Sequence, residues 1–155
     1  MFRAAIVLAL AVLTCAPGHA DPFESYNPDF VGDCVAAAGA DESVLRACLG
    51  AGATPCIAAE GSSTMSYVLC WDREATTWRE MIERAANDTT TRHGYRDPQR
   101  LAAANTAWEA WAEAECEYWA WEEGGGVGEQ VDRARCQARV NAERAITLMV
   151  AAAER

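Results

Sequence analysis

The spacing of the cysteines constrains this 155-residue chain more than any other feature. Six of its seven cysteines form three pairs, each centred on a turn signal. Cys34 and Cys48 stand 14 residues apart about Gly39-Ala40-Asp41. Cys56 and Cys70 stand 14 apart about Gly61-Ser62-Ser63-Thr64. Cys116 and Cys136 stand 20 apart about Gly124-Gly125-Gly126. Such Gly/Ser clusters interrupt regular structure. If a helix flanks each turn on both sides, two cysteines at equal distance from it face each other across an antiparallel pair. Six cysteines allow many connectivities, and the symmetry about the turns selects Cys34–Cys48, Cys56–Cys70 and Cys116–Cys136. Loops of this size are each worth about 3 kcal/mol in the chain-entropy account.

Disulfides require an oxidising compartment, and the N-terminus points to one. Arg3 is a short positive head, Ala4 to Leu13 an unbroken apolar run, and Cys15, Pro17 and Gly18 end that run before the small residue Ala20. That is the layout of a signal peptide over residues 1–20, with an apolar run too short to span a bilayer. Cleavage near Ala20 removes Cys15 and leaves an even six cysteines, and the chain is expected in the periplasm or secreted. The alternative, a lipoprotein anchored at Cys15, meets Thr14 where that signal usually has Gly, Ala or Ser. No later stretch is long and apolar enough for a transmembrane helix. The remainder divides into an N-terminal cysteine-containing helical segment (21–63) and a longer helical domain (64–155), expected to form one unit.

All 23 acidic residues lie beyond residue 20, whereas Arg3 does not, so the net charge of −10 becomes −11 after cleavage. An acidic chain is a poor partner for nucleic acid or anionic membranes and suits a cationic protein. Cofactor and metal sites find no support. There is no CxxC pair, His93 is the one histidine after residue 20, and no CxxCH or Gly-x-Ser-x-Gly occurs. Gly124 to Gly128 follows a helix and lacks the Lys-Ser/Thr ending of a phosphate loop. Glu113, Glu115, Glu117, Glu122 and Glu123 spread around a helix as a solvated face rather than a catalytic carboxylate pair.

The periodicity predicts an all-α, disulfide-tied bundle of four to five helices. Residues 21–33 read as an irregular lead-in. Asp41 caps a helix through Val44, Leu45 and Cys48 towards Ala59, interrupted near Gly50 to Pro55. Ser62, Ser63 or Thr64 caps the next, with apolar positions Met65, Val68, Leu69, Ala75, Trp78, Met81, Ile82 and Ala85. Asn87 to Arg96 reads as a loop. Asp97 and Pro98 start the following helix as cap and first turn. Its stripe is Leu101, Ala104, Trp108, Trp111, Glu115 and Trp119, widened by Ala112 and Cys116. The last helix carries Val131, Ala134, Ala138, Ala142, Ala145, Leu148 and Met149. Trp78, Trp108, Trp111 and Trp119 are expected in the core, and Trp71 and Trp121 as surface anchors.

From Cys70 onward the chain resembles the LprI-like lysozyme inhibitors of the bacterial envelope. The resemblance is carried by Cys70, Glu74 and Trp78, then Leu101-x-x-Ala104-Asn105-x-Ala107-Trp108, then Trp111, Glu113 and Cys116. The glycine turn including Gly125, then Cys136, Arg144, Ala145 and Leu148, complete it. The chain departs from the family at Asn105, where Gln is usual, and at Ala112, where Arg is usual. It also has Arg79-Glu80 and Ala85 near the places of a Leu-Asn pair and a Tyr.

The resemblance implies a non-enzymatic inhibitor that blocks a glycosidase cleft, with a basic lysozyme or another envelope protein as partner. The connection Arg92, His93, Tyr95 and Arg96 concentrates cationic donors outside a helix and is the expected partner-binding loop. The alternative is an envelope interaction or immunity module with a different partner, which exposed Trp71 and Trp121 would favour.

Overall fold

The computed structural model describes residues 25–92, 97–122 and 126–153. Residues 1–20 with Cys15, the loop residues His93, Tyr95 and Arg96, and Glu123, Gly124 and Gly125 lie outside the described residues. The elements are α1 (Asp29–Ala38), α2 (Glu42–Ala47), α3 (Ala53–Glu60), α4 (Thr64–Arg92), α5 (Pro98–Glu122) and α6 (Val127–Ala153), with no strand among the described residues.

The fold is all-α, with one helix more than the periodicity suggests. The lead-in ends earlier than residue 33, because α1 starts at Asp29. Pro28 precedes it in helical conformation, and the Asn27 side chain accepts from the Asp29 backbone N–H at 2.9 Å. Proline breaks helices only from inside; at their start its fixed φ is already suitable. Asp41 caps α2 by accepting from the N–H groups of Ser43 and Val44 at 2.9 and 3.2 Å. These bonds, led by that from the Ser43 hydroxyl, hold its carboxyl below the usual carboxylate range. The chain then splits into α2 and α3 at Gly50, whose φ of +90° favours glycine. Ser63 caps α4, accepting from the Ser66 N–H at 3.1 Å.

A second correction concerns residues 87–92, which continue α4 instead of forming a loop. The hydroxyls of Thr89 and Thr90 donate to the carbonyls of Ala85 and Ala86 one turn earlier, at 2.8 and 3.2 Å, and Thr89 is buried. Threonine uses this bond to satisfy its hydroxyl within a helix. Asp97 caps α5 through the Gln99 N–H at 2.9 Å.

The α4–α6 pair is the spine. Trp78, Met81, Ile82 and Ala85 of α4 meet Ala142, Ala145, Ile146 and Leu148 of α6, and Val31, Leu45 and Cys48 close this core from α1 and α2. A smaller cluster joins Ala53, Cys56 and Ile57 of α3 to Cys70 of α4. A third joins Ala112 and Cys116 of α5 to Cys136 and Val140 of α6. Disulfides stitch these contacts: Cys34–Cys48 between α1 and the end of α2, Cys56–Cys70 between α3 and α4, and Cys116–Cys136 between α5 and α6. Met65, assigned to the apolar stripe of α4, is 59% exposed, because it lies in the first turn beyond the reach of the core.

Candidate functional site

Glu74 has no solvent exposure. Its carboxylate accepts from the backbone N–H of Gly50 at 2.6 Å, Gly52 at 3.1 Å, Ala53 at 2.7 Å and the indole N–H of Trp78 at 3.1 Å. Gly52 and Ala53 begin α3, whose first N–H groups have no partner inside their own helix. A side chain from α4 therefore caps α3 with a full negative charge, the sign that a helix N-terminus favours. Gly52 leaves no room for a side chain, since a Cβ there would come within 2.7 Å of the Tyr26 ring. Tyr26 in turn hydrogen-bonds Thr77 at 2.7 Å, and burial pushes its phenol up to about 12. Glu74 and Trp78 are thus a structural clamp, with no opening to a ligand. Sequence reasoning missed its partners, although a glutamate one turn before a core tryptophan and a Gly-x-Gly turn upstream were both visible.

Asn105 and Arg144 form a second polar tie. The Arg144 guanidinium donates to the Asn105 amide oxygen through Nε at 3.1 Å and Nη2 at 2.6 Å, fixing α5 against α6. Burial pulls the Arg144 pKa below its ordinary value. Asn141, also buried, donates to the Ala75 carbonyl at 2.8 Å and links α6 to α4.

Because α5 packs mainly on α6, a cleft of about 440 Å³ opens between α4 and α5. Arg79 lines it from α4, Trp108, Glu109, Ala112 and Glu113 from α5, and Gln137, Val140 and Asn141 from α6. Ala112 thus borders this cleft, and Leu101 and Trp108 are half-buried beside the core.

The outer side of α5 carries the main correction to the expected core. Trp111 is 50% exposed, alongside Tyr118 at 57% and Trp121 at 77%, and Trp119, although on the side towards Leu49, Arg135 and Arg139, is still 48% exposed. The face against α6 runs Leu101, Asn105, Trp108, Ala112, Cys116 and Ala120. A second apolar face, Ala104, Ala107, Trp111, Ala114, Tyr118 and Trp121, lies roughly 140° around the helix at 3.6 residues per turn. Two such faces nearly cancel, so periodicity could not choose between them. The Trp119 indole N–H donates to Glu115 at 2.8 Å, tying it to its own helix surface. Glu117 pairs with Arg133 of α6 at 3.1 Å. Trp71, expected as a surface anchor, is half-buried beside Ile57, with the Arg135 guanidinium 5.8 Å from its ring centroid.

Of the expected binding loop, Arg92 ends α4, and His93, Tyr95 and Arg96 lie outside the described residues. Among the described residues no cluster of metal-ligating side chains occurs, and no helix is long and apolar enough to cross a membrane.

Comparison with curated proteins and with solved structures gave no significant match. The family described as "Lysozyme inhibitor LprI" matches residues 56–148, taking in the Cys56–Cys70 bridge between α3 and α4, the Glu74 and Trp78 side chains, the Asn105–Arg144 tie and the bridge between α5 and α6. The chain belongs to the LprI family of lysozyme inhibitors.

Proposed function

We propose that this chain is an exported, non-enzymatic protein that inhibits a basic lysozyme by blocking its glycosidase cleft. The observation that carries the reading is the family match over residues 56–148. The charge of −10 adds to it, because an acidic protein is drawn to a basic enzyme and associates faster at low salt. The working groups of such a cleft are two carboxylates, and guanidinium groups pair with carboxylates through two parallel hydrogen bonds. Arg92 and Arg96 lie in or beside the short connection between α4 and α5, and they are the proposed plug.

The test is lysis of peptidoglycan by a basic animal lysozyme in the presence of purified, oxidised protein. Inhibition at micromolar concentration that weakens between low and moderate salt is expected, with loss of at least tenfold in the Arg92→Ala/Arg96→Ala double variant. A folded helical protein that leaves lysis unchanged would remove the inhibitor reading. Inhibition untouched by the double variant would remove only the plug.

The exposure of Trp121 favours a second reading, an envelope interaction or immunity module with another partner.

A further inference from the structure

The outer face of α5 is an aromatic strip framed by acid. Trp111, Tyr118 and Trp121 follow one another at spacings of seven and three, with Ala104, Ala107 and Ala114 completing a repeat that lines up along one side of a helix. All six are exposed. Tryptophan and tyrosine exposed in a row are costly to keep in water and are enriched where protein surfaces meet. Beside the strip runs Glu117, exposed and paired with Arg133 of α6, and α5 as a whole carries five glutamates against one basic residue, Arg100 in its first turn.

Charge decides between occupants. A second copy laid on this strip would bring two acidic helices of chains charged −10 together, and an anionic bilayer would meet the same repulsion. A cationic protein surface gains on both counts, since Arg and Lys pair with the carboxylates and stack on the rings. The chain already shows that stacking internally, where Arg135 lies over Trp71.

We infer that the Trp111–Tyr118–Trp121 strip of the acidic helix α5 is the surface on which α5 docks against the basic lysozyme. The inference rests on the proposed lysozyme partner and is independent of which group enters the cleft. α5 starts two residues after Arg96 and is about 37 Å long at 1.5 Å per residue. A plug from the preceding connection would leave the strip lying along the rim of the partner.

Binding of the oxidised chain to a basic lysozyme is measured by calorimetry at two salt concentrations, with circular dichroism on every variant. The triple variant Trp111→Ala/Tyr118→Ala/Trp121→Ala is expected to bind at least tenfold more weakly, and Trp121→Ala alone about threefold, since a few aromatic anchors dominate interfaces. Glu117→Gln should weaken binding at low salt more than at high salt. Met65→Ala, exposed on α4, should bind within twofold of the parent. If the parent binds and both Trp variants match it, the strip is overturned while the lysozyme partner stands. A folded parent that does not bind overturns both. A dimer in sedimentation that the Trp121→Ala variant dissolves, or binding to anionic vesicles lost in that variant, assigns the strip to another occupant and overturns the inference.

Discussion

Helices α4 and α5 are both rich in tryptophan, yet they use it in opposite ways. On α4, Trp78 is completely enclosed and donates its indole N–H to the buried Glu74 carboxylate. On α5, Trp111 and Trp121 stand half or more in solvent, and Trp119, 48% exposed, donates its indole N–H to Glu115 of its own helix. The number of neighbours separates the two. α4 is approached by α3 and α6, with α1 and α2 closing the same core, whereas α5 rests mainly on α6. An apolar side chain becomes core only where another element covers it, so tryptophan content predicts burial on α4 and surface chemistry on α5.

Removing the acceptor at the centre of α4 should break this contrast most severely. Glu74→Gln loses the charge and turns an amide N–H₂ towards N–H groups that have no other acceptor. A loss of about 3 kcal/mol or more is expected, from unsatisfied buried donors at about 1–3 kcal/mol each, and urea unfolding would measure it. A variant as stable as the parent would show that α3 does not depend on this cap.

The tie between α5 and α6 should matter less. Asn105→Ala leaves the half-buried Arg144 guanidinium without its amide partner and should cost about 1–2 kcal/mol. Thermal unfolding by circular dichroism would register a drop of several degrees. No change would mean that the Cys116–Cys136 bridge and the small residues around it hold α5 by themselves.

The smallest effect is expected on the outer face. Trp121→Ala should shift stability by about 0.5 kcal/mol or less, the usual range for exposed positions. A loss several times larger would show that Trp121 has a structural neighbour and would erase the difference between the two helices.

The legible parts of the molecule were those written in short-range chemistry. Asp97-Pro98 marks the start of α5, Ser63 that of α4, and cysteines symmetric about turns meet across them. Local rules misled at Pro28 and at Thr89 and Thr90, where residues that interrupt helices elsewhere were accommodated by a helix start and by backbone-directed hydroxyls. The Glu74 clamp was hidden for a different reason. Its backbone donors lie 21 to 24 residues upstream, and nothing in a single helix reveals which turn will fold onto it. On α5, either face satisfied the pattern, and only the absence of a second large neighbour decides which one stays wet.

The three bridges join first cysteine to second, third to fourth and fifth to sixth among residues 34–136. Along the chain Cys48 is closer to Cys56 than to Cys34, so pairing by proximity would go astray. Pairing by order of appearance does not. A chain emerging N-terminus first presents, among residues 34–136, the second cysteine of each pair before the first of the next, so a simple oxidant can close every bridge in turn without a shuffling step to undo an earlier one.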